Sequence, residues 1–185
     1  MAGFVSPWWI GYFMACPLRK LVQDPEKILA PQVPPGATAL DAGCAMGFFS
    51  LAMAELVGPG GRVHSVDLQK RMIDSLRWRA ARAGLSERID ARTCAGNDLG
   101  IDDLAGKVDF ALSFCVLQEV PDPASFLRQI HRSLKPEGKL LVAAPTGRVG
   151  REAYKATLAT IREAGFELLE RPKIPLCRTA LCAKS

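Results

Sequence analysis

Histidine is scarce in this 185-residue sequence, with only His64 and His131, and the six cysteines (Cys16, Cys44, Cys94, Cys115, Cys177, Cys182) form no Cys-x-x-Cys pair. That spacing argues against a metal site, so none is expected, and unpaired thiols fit a reducing compartment. No apolar run approaches the ~18 residues that would suggest a membrane span. The apolar stretch from Trp8 to Cys16 has no Lys or Arg before it, so it lacks the charged start of a secretory signal, and a cytoplasmic location is expected. Repeats are also missing: 16 Gly and 13 Pro are scattered without period, which excludes collagen-like and solenoid architectures. Neither sign of charge dominates. The 24 Lys and Arg alternate with 19 Asp and Glu for a net +5, so a nucleic-acid partner is not expected, and the basic stretch Arg77, Arg79, Arg82 and Arg88 reads as the solvated side of a helix.

What is present is the composition of one globular domain, 49% hydrophobic and 23% charged. From residue 37 onward, β-type runs alternate with helical segments, the pattern of a parallel sheet covered by helices. The strands are expected at 37–42, 62–67, 89–94, 108–114 and 139–144. The second and third are more polar and belong nearer an edge. Helices are expected at 69–83, stopped by Gly84, at 123–134, capped by Asp122 with Pro123 in the first turn, and at 151–164, stopped by Gly165. The last two β-type runs, 166–171 and 178–183, have too short a connection for a parallel crossover and should form an antiparallel hairpin.

Chemistry concentrates in the segment Leu40-Asp41-Ala42-Gly43-Cys44-Ala45-Met46-Gly47-Phe48-Phe49-Ser50, a strand that enters a glycine-containing turn and then a helix. Such a turn lets a ligand approach the backbone at the strand's carboxyl end, where open α/β sheets bind nucleotides. A P-loop would need Lys and then Ser or Thr after the second glycine, and Phe48 and Phe49 stand there. A dinucleotide fingerprint would need glycine where Ala45 and Phe48 are found. Asp67, ending the second strand, can accept both hydroxyls of an adenosine ribose. Asp41 beside the turn suits a cationic ligand better than a pyrophosphate. Ala45 is tolerable between the glycines if its φ is negative.

In these segments, LDAGCAMG, VHSVD, AGNDL, VDFALSFCVLQEVPDP and LKPEGKLLVAAP, the sequence resembles the class I S-adenosylmethionine-dependent methyltransferases over residues 37–185, and it is similar to their small-molecule, quinone-type members. The resemblance implies an α/β, Rossmann-like, doubly wound, mostly parallel seven-stranded sheet with a C-terminal antiparallel hairpin strand. It also implies S-adenosylmethionine as cofactor and S-adenosylhomocysteine as product. Carried over residue by residue, it puts Gly43, Cys44, Ala45 and Gly47 against the methionine part, Asp41 near its amino group and Asp67 on the ribose. Leu68 would pack on the adenine, Asn97 would hydrogen-bond its edge, and Phe114 and Cys115 would lie beside the sulfonium.

Direct displacement at the sulfonium methyl needs alignment and exclusion of water, and a proton acceptor only when the nucleophile must be deprotonated. Glu119 and Gln118, just after the fourth strand, are the candidates for that role. His64 reads as a packed core residue and His131 as an exposed one. Residues 1–36 lie outside the resemblance and read as an aromatic-rich helical extension. There Trp8, Trp9 and Tyr12 are expected to form a lid over the substrate, with a membrane-surface contact or a strip packed on the sheet as the other readings. The expected partner is a small-molecule acceptor. An arsenite or other thiol-linked acceptor and a non-catalytic nucleotide-binding module are the alternatives.

Overall fold

A computed structural model describes residues 17–185, so Trp8, Trp9, Tyr12 and Cys16 lie outside the described residues. The described chain opens with a 3-10 turn, Pro17–Leu21, and a short helix α1, Pro25–Leu29, capped by the Asp24 carboxylate, which accepts from the N–H groups of Glu26 and Lys27. The alternation then follows: β1 Thr38–Ala42, α2 Phe48–Val57, β2 Arg62–Asp67, α3 Lys70–Arg82, β3 Ile89–Thr93, β4 Val108–Phe114, α4 Pro123–Ser133, β5 Leu134–Pro145, α5 Arg151–Glu163, β6 Phe166–Glu170 and β7 Cys177–Lys184.

The seven strands lie in the order β3-β2-β1-β4-β5-β7-β6, parallel except for β7, which pairs antiparallel with both β5 and β6. The expected hairpin is therefore β6 with β7, and the more polar β3 is an edge strand with β2 beside it. The strand order reverses between β1 and β4, which are hydrogen-bonded neighbours. Connections from those two strands leave toward opposite faces there, and a crevice opens at their carboxyl ends.

Helices α1 to α3 cover one face, where Leu29, Phe49, Met53, Ile73 and Leu76 pack on Ala39, Phe110 and Leu112. Helices α4 and α5 cover the other with Phe126, Leu127, Ile130 and Ile161 on Leu40, Ala111 and Val142. Burying each large side chain stabilises the fold by roughly 1.5–3 kcal/mol, and burial on both faces explains why β1, β4 and β5 read as continuous apolar runs.

Two local expectations are corrected. His131 is half-buried rather than exposed, its ring set edge-on to Phe166 at 5.2 Å between centroids. Arg79 is not a solvated charge, because its guanidinium turns back to donate to the Met46 carbonyl at 2.6 Å and ties α3 to the glycine turn. Arg88, half-buried, likewise donates to the Ala54 carbonyl, whereas Arg77, which donates to the Ala91 carbonyl, and Arg82 are exposed as expected. His64 is buried as expected but also meets Asp90 through Nδ1 at 3.1 Å.

Candidate functional site

The turn between β1 and α2 sets the site. Gly43 and Gly47 both have φ in the left-handed region, +87° and +81°. A Cβ at Gly43 would come within 2.2 Å of the Val116 side chain, and one at Gly47 within 2.2 Å of Leu76. Glycine is thus required twice over, by φ and by space. Ala45 is also left-handed, at φ 46°, so the condition of a negative φ under which alanine is readily tolerated is not met. The compensation is its N–H, which this conformation aims at Asp67 Oδ2, 2.9 Å away. A residue without a Cβ would adopt that φ at no steric cost, so the alanine is the strained choice.

Asp67 ends β2 facing the turn. Its Oδ2 accepts from Ala45 and its Oδ1 from the Gln69 N–H, also at 2.9 Å. Burial raises its pKa, opposed by those two N–H bonds. Each oxygen keeps further lone-pair capacity for a ligand hydroxyl. Around it lies a cavity lined by Gly43, Leu68, Asn97, Val116 and Glu119. Leu68 is 44% exposed, an apolar surface available for a planar group. The loop carrying Asn97 is fastened from α4: Gln129, buried, accepts from the Leu99 N–H at 2.8 Å and donates to the Asn97 carbonyl at 3.0 Å. Arg92 secures its far end, donating to the Gly100 carbonyl while bridging Asp90 and Asp103. Gln129→Ala removes the clasp and leaves a buried N–H unpaired, so a loss of about 1–3 kcal/mol is expected in urea unfolding. A loss below about 0.5 kcal/mol would show that the loop holds itself.

On the other side of the turn, Asp41 is buried and accepts from Ser50 Oγ at 2.6 Å. Burial pushes its pKa up to about 7. Arg19, from the 3-10 turn, lays its guanidinium over Phe48, Phe49 and Phe114 at 4.5, 5.3 and 5.4 Å from their centroids. Burial lowers the pKa of Arg19, opposed by Cys115, Cys177 and Asp41. Phe114 itself is buried against Phe49 at 4.3 Å, and Cys115, at the end of β4, takes the unusual φ of 60° while its N–H bonds the Ala143 carbonyl at 2.7 Å. The thiols of Cys115 and of Cys177, at the start of β7, act on each other so that the pKa of Cys115 is raised and that of Cys177 lowered. Cys44 is buried in the core, where desolvation raises its pKa well above the ordinary value.

The two residues expected as proton acceptors separate. Glu119 lines the cavity with Asp67 and is ion-paired with Arg148 at 2.9 Å. Gln118 is exposed and folds back to donate to the Cys115 carbonyl at 2.6 Å, facing a different depression shared with Ala144, Val149 and Thr157. Arg19, Gln129 and Arg79 were missed by the sequence reading, since nothing in their local sequence marks them as anything but solvated polar residues. Among the described residues, no group of His, Cys, Asp and Glu is arranged to hold a metal ion, and no helix is long and apolar enough to cross a membrane.

A family profile described as "Methyltransferase domain" matches residues 34–170. The ubiquinone biosynthesis O-methyltransferase of Xanthomonas axonopodis pv. citri is 32% identical over 145 residues, covering 77% of this chain and 57% of that protein. The enzyme of the same name from Xylella fastidiosa is 32% identical over 143 residues, covering 77% of this chain and 56% of its own length. This chain thus spans little more than half the length of these relatives. A solved SAM-dependent methyltransferase from Aquifex aeolicus has the same fold, with a TM-score of 0.88 at 21% identity, covering 98% of this chain and all of that one. With its topology, its glycine turn and its profile match over most of its length, the chain belongs to the methyltransferase-domain family, the class I enzymes whose cofactor is S-adenosylmethionine.

Proposed function

We propose that this chain transfers a methyl group from S-adenosylmethionine to an oxygen of a small-molecule acceptor. The observation that carries the reading is Asp67: a mostly buried carboxylate at the end of β2, with Oδ2 on the Ala45 N–H of the glycine turn, Oδ1 on the Gln69 N–H, and each oxygen retaining acceptor capacity. That is the donor-accepting pair a ribose diol needs. Leu68 and Asn97 flank it in the same cavity and would take the two faces of recognition of an adenine, apolar surface and polar edge. Asp41 is the anion suited to the cofactor's ammonium. Arg19 is the cation suited to its carboxylate, and Gly43, Cys44, Ala45 and Gly47 provide the backbone surface between.

When bound, the cofactor supplies a methyl group already activated as a sulfonium. The work left to the protein is positional. Phe114 and Cys115, at the end of β4, would border the reacting methyl. Their backbone is pinned through Cys115 N–H to Ala143, which fixes the wall against which an acceptor must align. Glu119 is the carboxylate on hand for an acceptor proton, and its ion pair with Arg148 must loosen or shift for it to act as a base. The small-molecule and oxygen assignments draw on the relatives, both named O-methyltransferases of ubiquinone biosynthesis. The test is a transfer assay with methyl-labelled cofactor and a panel of catechols, phenols and quinols. Label is expected on an acceptor oxygen with stoichiometric S-adenosylhomocysteine. Label appearing only on RNA or protein, or no binding of S-adenosylhomocysteine, would overturn it.

A further inference from the structure

The carboxyl end of the sheet is electrically divided. The cavity around Asp67 also carries Asp98, Glu119 and Asp122. A second cavity, of about 720 Å³, lies between α5 and the β6–β7 connection, and the charged side chains lining it are all cationic: Arg151, Lys155, Arg171, Lys173 and Arg178. Lys155 pairs with Glu152 at 2.9 Å, outside the lining, and Arg178 uses Nε on the Val149 carbonyl at 3.1 Å. Arg151, Arg171 and Lys173 have no carboxylate within ion-pairing distance among the described residues. Like charges gathered in one concavity repel, and that cost is offset when an anion binds.

A second observation comes from Tyr154, on α5 in the wall of the same cavity. It is 7% exposed, and its hydroxyl is buried with no hydrogen-bond partner. Burial raises its pKa to about 12, against the pull of Arg171 and Arg178, so it is a neutral donor with nothing to donate to. Cys177 also lines this cavity and, with Cys115 at the end of β4, packs against the same core cluster, where each acts on the other's pKa. The basic cavity thus abuts the wall where, on the reading above, the reacting methyl is presented.

We propose that this cavity receives the anionic group, a carboxylate or a phosphate, of the methyl acceptor, so that the acceptor is a negatively charged small molecule. The inference rests on the assignment of the donor methyl to the end of β4. A volume of about 720 Å³ is in the range of small-molecule sites rather than of an extended nucleic-acid track. Guanidinium groups suit both anions through paired N–H donors, and a tyrosine hydroxyl adds a neutral one.

Calorimetry on the full chain saturated with S-adenosylhomocysteine tests it with catechol, with protocatechuate, which is catechol bearing one carboxylate, and with inorganic pyrophosphate. At least one anion is expected to bind about tenfold or more tightly than catechol. Arg171→Gln with Lys173→Gln, two exposed positions, should cut that preference to about threefold or less with melting temperature unchanged. Tyr154→Phe should also weaken the anion, without loss of stability, since it removes only an unsatisfied hydroxyl. Tighter protocatechuate marks the group as a carboxylate, and tighter pyrophosphate as a phosphate. Equal binding of all three probes, or a preference that survives the double substitution, overturns the proposal. So does a short RNA binding through these residues while the small anions do not. The titrations are repeated without S-adenosylhomocysteine. Failure of that ligand to bind refutes the cofactor assignment, whereas its binding without any anion preference refutes the anion site alone.

Discussion

Asp67→Ala is expected to weaken S-adenosylhomocysteine binding by about 10²–10⁴-fold. Two hydrogen bonds from neutral hydroxyls to a charged, mostly desolvated carboxylate contribute roughly 1.5–3 kcal/mol each, and the sum of about 3–6 kcal/mol gives that range. The same carboxylate also holds the Ala45 and Gln69 N–H groups, so the substitution removes what compensates the left-handed φ at Ala45. For that reason the alanine variant should also melt earlier, and Asp67→Asn provides the cleaner reading. Its amide retains one acceptor oxygen, so it should keep more of the fold while losing most of the affinity, because an NH₂ cannot accept from a ribose hydroxyl. Calorimetry on the folded fraction, with circular dichroism as the control, measures both. Affinity for either variant within about threefold of the parent chain would remove Asp67 from the cofactor site.

The legible part of this molecule is what neighbouring residues decide. Strand ends fell within a residue or two at β1, β2, β3 and β4 because apolar runs and flanking turn residues are local signals. The antiparallel β6–β7 pair followed from connection length alone. β5 was drawn too short, since its ladder with β4 begins at Leu134 and resumes at Lys139 after an irregularity that no apolar run announces. The site was legible where chemistry and turn geometry coincide, at Gly43, Gly47 and Asp67. It was not legible where a side chain serves a backbone group far away in sequence. Arg79 reaches the Met46 carbonyl across 33 residues, Gln129 the Asn97 carbonyl across 32, and Gln23, tied to Arg19, reaches the Pro175 carbonyl across 152. A polar residue on a helix shows the same local pattern whether it meets water or a distant carbonyl. Ala45 failed for a related reason: its sign of φ is set by a partner, Asp67, 22 residues on.

Asp41 gives the second large effect, and here pH is the variable. Its folded pKa of about 7 lies well above the ordinary 3.8, chiefly through burial, with Asp67 adding to the rise and Ser50 and Arg19 opposing it. Between those two values the folded chain therefore holds a proton that the unfolded chain has released. Stability must then fall as pH rises from about 4 to about 7 and level off above. The span corresponds to at most about 4 kcal/mol, at roughly 1.4 kcal/mol per unit. Binding runs the other way. A ligand ammonium favours the ionised carboxylate, so S-adenosylhomocysteine affinity should climb by up to about tenfold per unit below pH 7 and flatten above it. Asp41→Asn separates the two effects from every other titrating group. Without ligand it should remove Asp41's share of the decline in stability with pH, and with ligand it should bind about tenfold or more weakly at pH 8 with a flatter profile. Urea unfolding and calorimetry from pH 5 to pH 8 measure both. The same slopes in the parent and the asparagine variant would mean that Asp41 titrates as an ordinary carboxylate and that the ammonium is held elsewhere.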